Sequence, residues 1–425
     1  MPDVNGTPPM SKPPGRLFTL KLRAFRAFRD EVSIDIRPLT LLYGFNQAGK
    51  STLLRVLALL ADSLQAGAGP LDLQSPALRG ATFKELGWMG QAPNLSPWLT
   101  LSAPGQPNDP TFKIQFSDAN GLIVNRLQVT PGIEGDKFKV DLDGTITREG
   151  NTISAGYAGT YRGQDWDGVL QFDRFFPSGL PEQAEALVQC VREALAPLQR
   201  LQWLYANRLT GGNGARPTRC CSPDGSDLPA RLRAASNPSI LDSASRWLTQ
   251  QEGLGNEIAL RVNAAGQPEL IHGAQGREEL PLHLAGEGIR SLLPILLCAL
   301  WAETHVSTAP SMLAVEEPEA HLHPTLQVAL FDRLVETVSQ GIPVLLETHS
   351  VYLLRAMQVA VLEGRLMPSQ VGLHWVEPGS DGASTVTTIG IAADATLSGW
   401  RPDVFEKEQE LAHRVLDLRW QQARP

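Results

Sequence analysis

The feature that most constrains the fold of this chain is a glycine-rich run near its N-terminus, Gly44–Ser51, with the sequence GFNQAGKS. The run has the spacing GxxxxGK[S/T]. The apolar residues Leu39–Tyr43 before it predict a buried strand, and leucines at helical spacing after it, from Leu53 to Leu64, predict a helix. A strand, a glycine-rich turn and a helix in this order are typical of loops that bind phosphate. We therefore expect an α/β fold.

Each part of this loop has a chemical reason to contact ATP. Glycines allow backbone N–H groups to surround the phosphates, and the helix N-terminus adds a positive dipole. Lys50 would reach the β- and γ-phosphates as a catalytic cation, and Ser51 would bind Mg²⁺ through its hydroxyl. The alternative is a chance glycine-rich turn, which the flanking strand and helix argue against. We expect the nucleotide to contact the whole loop: Gly44, Phe45, Asn46, Gln47, Ala48, Gly49, Lys50, Ser51 and Thr52.

Two carboxylates, Glu316 and Glu317, directly follow an apolar strand predicted at Met312–Val315. Sites in open α/β sheets lie at the carboxyl ends of the strands, so both side chains should face the phosphate loop. We expect Glu316 to hold the Mg²⁺ shell and Glu317 to act as the general base that polarises the attacking water. Taken alone, the same residues could be a solvated acidic turn after an ordinary strand.

A histidine, His349, follows the next predicted strand, Pro343–Leu346. One βαβ unit separates it from Glu317, which would place both residues at the same sheet edge. A histidine there can hydrogen-bond the γ-phosphate or the attacking water. Taken alone, a histidine after a strand is more often structural, and its spacing from the carboxylates favours the catalytic interpretation.

A second glycine-rich helix start, formed by Gly286, Glu287 and Gly288, lies just upstream of the carboxylate strand. Helix N-termini of this kind suit an anion. In isolation the pattern is weak evidence for an anion site, and its position just before the strand that ends at Glu316 strengthens that evidence. We expect these three residues to contact nucleotide.

Composition excludes several classes of protein. The formal net charge of -8, from 45 acidic and 37 basic residues, argues against a constitutively basic nucleic-acid-binding protein, although it leaves a local basic patch open. The 4 cysteines show no CxxC pairing, so neither a disulfide framework nor a zinc site is suggested. No apolar run approaches the roughly 20 residues that a membrane helix needs, and no signal peptide is evident. We expect a cytoplasmic protein with reduced thiols and no membrane contact.

The rest of the chain shows two kinds of pattern. Short alternating segments predict antiparallel strands at Thr111–Phe116, Leu122–Val129 and Phe138–Leu142. The last third alternates strands with helices, which is typical of a mostly parallel sheet. Its predicted helices are Gly288–Glu303, Pro324–Ser339 and Val351–Leu362. The expected fold class is an α/β P-loop NTPase of ABC type, with a mixed central sheet, an antiparallel β insertion and a helical insertion.

In this order, the motifs resemble ABC-type ATPases of the RecF and structural-maintenance-of-chromosomes (SMC) group. They look in particular like the ATPase part of the OLD (overcoming lysogenization defect) family and related AAA-type bacterial defence ATPases. The resemblance rests on segments spread over nearly the whole chain: Leu20–Phe28, Leu39–Leu54, Gly286–Pro294, Glu316–Pro324 with the sequence EEPEAHLHP, Thr348–Ser350, and Trp400–Phe405.

The resemblance implies a head-to-tail dimer in which the loop at Gly286 closes over ATP held by the other subunit. In the signature motif of such ATPases a serine usually meets the γ-phosphate, but here Leu284 or Ala285 stands at that place. Hydrolysis would therefore be slow or dependent on a partner. The stretch after His349 is short for the Toprim nuclease domain of full OLD proteins, so a nuclease effector would be a separate polypeptide.

The composition and the predicted elements, taken with the resemblance, suggest domain bounds. A disordered lead would occupy residues 1–15, followed by the first part of the ATPase domain at 16–72 with the P-loop. An insertion at 73–280 would hold antiparallel strands and helices, and residues 281–425 would complete the ATPase domain and end in the C-terminal tail.

Several single residues and three functions stay as alternatives. Gln91 could contact Mg²⁺, His321 and His323 could bind metal but more often form a structural turn, and Arg208 could approach the nucleotide. Arg208 also begins an arginine-rich neighbourhood that could bind DNA or a partner: Arg208, Arg216, Arg219, Arg231 and Arg233. The chain could be an ATPase that drives or licenses an effector, plausibly in anti-phage defence. It could also be an ATP-sensing scaffold with little turnover, or a RecF-like DNA-repair factor.

Overall fold

The structure of the chain is a computed structural model. It describes residues 15–88, 96–105, 108–118, 121–131, 137–209, 220–235, 237–251, 254, 257–273, 279–401, 410 and 413–419. Within those ranges no helix combines the length and the apolar character needed to cross a membrane. The helices are α1 (Lys50–Ser63), α2 (Glu182–Ala194), α3 (Leu228–Ala235), α4 (Ser239–Thr249), α5 (Glu287–Ala302), α6 (Pro324–Ser339) and α7 (Val351–Leu362).

The strands form four sheets. The first nine are β1 (Phe18–Arg23), β2 (Val32–Ile36), β3 (Leu39–Gly44), β4 (Trp98–Ser102), β5 (Thr111–Asp118), β6 (Leu122–Thr130), β7 (Phe138–Glu149), β8 (Thr152–Tyr161) and β9 (Gln164–Phe172). The others are β10 (Leu201–Leu204), β11 (Glu257–Val262), β12 (Pro268–Gly273), β13 (Leu280–Pro281), β14 (Met312–Glu316), β15 (Val344–Glu347), β16 (Val371–Pro378), β17 (Ser384–Thr388), β18 (Gly390–Ile391) and β19 (Leu397–Ser398).

A six-stranded sheet in the order β10-β14-β15-β3-β16-β17 carries the motifs. Its first five strands run parallel, and β17 pairs antiparallel to β16 at one edge. Every residue of β3 is buried, as expected for a parallel strand covered on both faces. This sheet confirms the predicted α/β fold class with a mixed central sheet.

An eight-stranded antiparallel sheet in the order β2-β1-β4-β5-β6-β7-β8-β9 lies beside it. The predicted strands from Thr111 to Leu142 become β5, β6 and the first part of β7. The sheet also includes β1 and β2, since Leu20 of β1 pairs with Leu101 of β4. The strands of the segment 73–280 therefore continue a sheet that begins before the P-loop, and one of them, β10, joins the parallel sheet.

Two hydrophobic cores pack against opposite faces of the parallel sheet. Leu42 of β3 belongs to the core shared by α1 and the antiparallel sheet, whereas Leu41 and Tyr43 belong to the core around α5, α6 and α7. This alternation follows from the twofold side-chain period of a strand. Helix α1 is thus held between the two large sheets, with its N-terminus at the carboxyl edge of β3.

Strand order brings the separate motifs to one sheet edge. In the register of the sheet, Glu316 at the end of β14 lies beside Glu347 at the end of β15, and Glu347 lies beside Leu42 of β3. The two strand ends and the P-loop therefore share the edge at which α/β folds bind their ligands.

Candidate nucleotide-binding site

The P-loop connects β3 to α1 through a backbone that requires glycine at two positions. Gly44 has φ 149°, and a Cβ there would lie 1.9 Å from the Val376 carbonyl oxygen of the neighbouring strand. Gly49 has φ 104°, and its Cβ would lie 2.9 Å from atoms of Ala27 and Phe28. No side chain caps α1 at Gly49, so the first N–H groups of the helix are available to an anion.

Lys50 lies folded over its own loop. Only 3% of the residue is exposed, and its Nζ donates hydrogen bonds to the carbonyl oxygens of Gly44 at 3.1 Å and Phe45 at 2.8 Å. Burial lowers the pKa of Lys50, against the opposing influence of the carboxylates of Glu347, Glu317 and Glu319. A phosphate in the loop would take the place of two neutral carbonyls as the partner of this cation.

Glu316 reaches the predicted edge of the sheet, but protein groups already hold its carboxylate. Arg55 of α1 donates to both oxygens, from Nε at 2.7 Å and from Nη2 at 2.9 Å. The indole Nε1 of Trp203 donates to Glu316 Oε1 at 3.2 Å. Glu316 is buried and Arg55 is partly buried, and their contact ties α1 to β14.

The hydroxyl of Ser51 contacts a different carboxylate, Glu347, which sequence reasoning missed. Ser51 Oγ donates to Glu347 Oε1 at 2.6 Å. Glu347 is 4% exposed, and its second oxygen is buried without a hydrogen-bond partner in the described ranges. Burial raises the pKa of Glu347 to about 7, and Glu316 adds to the rise while Ser51, Lys50 and Arg55 oppose it. The available signal was an acidic residue at the end of the strand before His349.

Glu317 lies in a constrained turn just after β14. Its φ of 43° is rare for a residue other than glycine, and such strain is often found at functional sites. Its backbone N–H donates to the Glu347 carbonyl at 2.8 Å. The turn therefore connects the proposed base to the end of β15.

Arg208, after β10, links this turn to α5. Its guanidinium donates to the carbonyl oxygens of Glu316, of Glu317 at 3.3 Å and of Ser291 in α5 at 3.3 Å. Burial lowers the pKa of Arg208 to about 10, so the group remains a cation at neutral pH. The predicted arginine thus contacts the backbone of the carboxylate turn and joins it to the helix that begins at Gly286.

His349 follows β15 as predicted and lies near the P-loop cation. Its backbone N–H donates to Glu319 Oε1 at 2.7 Å. Partial burial lowers the pKa of its imidazole to about 4, and the charge of Lys50 contributes. The side chain is neutral at physiological pH and can exchange a hydrogen bond with a phosphate or a water.

The helix α5 begins at the predicted glycine-rich segment and opens toward solvent. Gly286 is exposed, and a Cβ added to it would have no atom of the described residues within 4 Å. Leu284 is 61% exposed. Gly288 is more confined, since its Cβ would lie 3.2 Å from the His321 carbonyl oxygen. The start of α5 is therefore a free surface of the chain.

The other candidate residues include a histidine that caps a helix and residues that lie outside the described ranges. His323 caps α6, because its Nδ1 accepts from the N–H of Thr325 at 3.4 Å. Among the described residues, no group of three or more His, Cys, Asp or Glu side chains could hold a metal ion. Three of the residues lie outside the described ranges: Gln91, Arg216 and Arg219.

The described part of the C-terminal tail packs against the strand that leads into the P-loop. The Trp400 ring lies 5.5 Å from the Tyr43 ring and 5.4 Å from the Trp375 ring, both edge-on. Arg401 forms an ion pair with Glu377 at 2.8 Å. The rest of the tail segment, residues 402–405, lies outside the described ranges.

The residues present fit ATP and Mg²⁺ on structural grounds. Glycines at Gly44 and Gly49 leave space that a side chain would fill, and Lys50 and Ser51 stand at the uncapped start of α1. The unpaired oxygen of Glu347 offers an anionic donor of the kind that hard cations prefer.

Comparison with known proteins agrees with this chemistry. A family model described as an AAA ATPase domain matches residues 236–354, less than a third of the chain. That stretch holds the start of α5, the carboxylates Glu316 and Glu317, and His349. No curated protein matches the chain. The chain thus carries a segment similar to AAA ATPase domains beside a P-loop that lies outside the match.

Solved structures of SMC heads are also similar in overall arrangement. The Smc head bound to the C-winged helix domain of ScpA has a TM-score of 0.49 at 13% identity, covering 88% of this chain and 98% of that one. The SMC head domain from Thermotoga maritima has a TM-score of 0.43 at 13% identity, with the same coverage. A Smc head from Pyrococcus furiosus, bound to the C-terminal domain of ScpA, has a TM-score of 0.46 at 11% identity and covers 93% of this chain and 98% of that one.

Proposed function

We propose that this chain is an ABC-type ATPase that binds Mg²⁺ and ATP at its P-loop and hydrolyses ATP between two copies of itself. The observation that carries the proposal is a single sheet edge. There, Ser51 at the start of α1 contacts the carboxylate of Glu347 at the end of β15, and Lys50 feels the charges of Glu347, Glu317 and Glu319. An unrelated structural role would not require a buried lysine, a loop that needs glycine at two positions, and several carboxylates at one ligand-binding edge.

Lys50, Glu317 and His349 each have a role in phosphoryl transfer. Lys50 would leave the carbonyls of its own loop and donate to the β- and γ-phosphates, while α1 directs its free N–H groups toward them. Mg²⁺, when bound, would neutralise charge that develops on the phosphate oxygens. Glu317 would accept a proton from the attacking water, and its turn is held by Arg208 and the end of β15. Neutral His349 would hydrogen-bond the γ-phosphate or that water.

A second copy would complete the site. The exposed start of α5, with Gly286 open and Leu284 uncovered, suits contact with nucleotide held by another subunit. The serine usual in such a signature loop has no equivalent here, so turnover would be slow or dependent on a partner. We propose a cytoplasmic homodimer that licenses a separate effector, plausibly in anti-phage defence.

Substitution of the proposed base tests this function. Glu317→Gln keeps the shape and the hydrogen bonding of the side chain but cannot accept a proton, so ATP should bind without turnover. The variant should accumulate as an ATP-locked dimer on size exclusion. Glu336→Gln is a matched control, since this glutamate on α6 is exposed and its side chain pairs with Arg333. Phosphate release by Glu317→Gln at the wild-type rate would contradict the assignment.

A scaffold that senses ATP with little turnover is the second candidate. It is favoured by the carboxylate of Glu316, which Arg55 and Trp203 hold in the free protein. Tight ATP binding by the wild type with no measurable phosphate release, in the same dimer, would select the scaffold.

A further inference from the structure

The P-loop site contains a carboxylate that the proposed function leaves without a role. We propose that Glu347, and not Glu316, is the acidic side chain that completes the Mg²⁺ site with Ser51. The inference rests on the proposed Mg²⁺ and ATP site and assigns its metal-binding side chain.

Glu347 lies where a metal ligand is needed. The P-loop hydroxyl that binds Mg²⁺ belongs to Ser51, and Ser51 Oγ lies 2.6 Å from Glu347 Oε1. This proximity follows from the sheet, because β15 lies directly beside β3 and Glu347 is in register with Leu42. A cation bound to Ser51 would therefore lie within reach of the Glu347 carboxylate.

The second oxygen of Glu347 points to a ligand that the described part of the chain does not supply. Glu347 is only 4% exposed, and its buried Oε2 has no hydrogen-bond partner among the residues that the structure describes. A buried polar atom without a partner costs free energy, and buried carboxylates normally pair or bind metal. Mg²⁺ accepts carboxylate oxygens and would satisfy this atom.

Glu316, the alternative, is committed to another contact. Arg55 approaches both of its oxygens and Trp203 donates to one of them. A move toward the metal would leave the Arg55 guanidinium partly buried without its partner, which is costly. We assign Glu316 and Arg55 to the positioning of α1 against β14.

The test is metal dependence of nucleotide binding, measured without hydrolysis. A non-hydrolysable ATP analogue is titrated into the full chain at increasing Mg²⁺, and Mn²⁺ binding in the presence of ADP is followed by electron paramagnetic resonance. Glu347→Gln preserves the shape and an acceptor for Ser51 but removes the negative charge. It should raise the Mg²⁺ concentration at half-saturation by about tenfold or more and weaken Mn²⁺ binding equally. In EDTA, where no free Mg²⁺ is present, Glu347→Gln should bind the analogue no more weakly than the wild type does.

Two further variants keep the test decisive. Glu347→Asp restores the charge with a shorter reach and should recover part of the metal affinity, which a purely structural role would not produce. The double variant Glu316→Gln/Arg55→Gln exchanges both members of the competing pair, and the other cation near Glu316, Arg79, has a side chain that is 53% exposed and stays in solvent. This variant should shift the Mg²⁺ requirement by less than about threefold.

The opposite pattern would overturn the inference. Metal dependence that is normal in Glu347→Gln and lost in Glu316→Gln/Arg55→Gln would make Glu316 the metal ligand. Failure of the proposed function looks different, because the wild type itself would then bind no analogue at any Mg²⁺ concentration.

Discussion

Replacement of Gly286 by tryptophan tests the assembly of two chains and should leave the fold of each chain intact. Gly286 is exposed, and its φ of -60° is accessible to any L-residue. If the start of α5 closes over ATP in a second copy, Gly286→Trp should prevent hydrolysis. The bulky side chain would fill the space in which backbone meets phosphate.

The structure sets the expected size of the effect on one chain. A Cβ at Gly286 meets no atom within 4 Å among the described residues, so the substitution adds no clash with that part of the subunit. Surface changes of this kind alter the free energy of unfolding by roughly 0.5 kcal/mol or less. Thermal unfolding and ATP affinity of the monomer should therefore match the wild type, while phosphate release should fall by about 100-fold, as expected when one stabilising group of a transition state is lost.

Mixing experiments test the composite site further. Lys50→Ala and Gly286→Trp should each be inactive alone. A heterodimer of the two has one intact site, with its P-loop from the Gly286→Trp chain and its α5 from the Lys50→Ala chain. Subunit exchange should restore part of the ATPase activity if one site can act without the other. Full activity of Gly286→Trp alone would refute the reasoning and make Gly286 an ordinary helix start.

Two other predictions concern the fold around the site. Gly44→Ala should destabilise the protein in urea unfolding more than Gly364→Ala, because both residues have positive φ but only the Cβ at Gly44 meets a backbone oxygen, at 1.9 Å. Gly364→Ala should cost about 1–2 kcal/mol, and equal losses would contradict the clash. Burial lowers the pKa of His374 in the folded protein. The contribution of this histidine to the free energy of unfolding should therefore be complete above the ordinary histidine pKa and should decrease as the pH falls below it. Unfolding at pH 7.5 and pH 5 should show a smaller loss in His374→Gln than in the wild type or in the exposed control His413→Gln, and equal losses would contradict the assignment.

Sequence patterns predicted the elements that carry strong local signals. The predicted helices Pro324–Ser339 and Val351–Leu362 match α6 and α7 at both ends. Pro324 is suited to the first turn of a helix, and the Ser350 hydroxyl accepts from the N–H groups of Tyr352 and Leu353. These starts depend on the residues next to them, so a single sequence contains the information.

Elements with weak local patterns were missed. Strand β4 is short and lies in a stretch without clear periodicity, and its place is set by pairing with β1. Strands β8 and β9 were not predicted because many of their residues are polar, glycine or partly exposed, and pairing across the sheet stabilises them. Local sequence does not report such pairing.

The candidate site likewise combines motifs that adjacent residues predict with contacts that they do not predict. The P-loop and the carboxylates of Glu316 and Glu317 were predicted from adjacent residues. The contact of Arg55 with Glu316 joins residues 261 positions apart, and that of Ser51 with Glu347 joins residues 296 positions apart. Only the order of strands in the parallel sheet creates these contacts, so the partner of each carboxylate could not be read from a motif.

The most direct test of the central claim is a titration of ATP with Mg²⁺ into the wild type and into Lys50→Ala. Lys50 is the P-loop cation, and its loss removes charge-assisted contacts worth roughly 1.5–3 kcal/mol each. The wild type should bind saturably, and a folded Lys50→Ala should bind at least about tenfold more weakly. Equal affinity of the two proteins, with Lys50→Ala shown to be folded by its thermal unfolding, would contradict a nucleotide site at this loop.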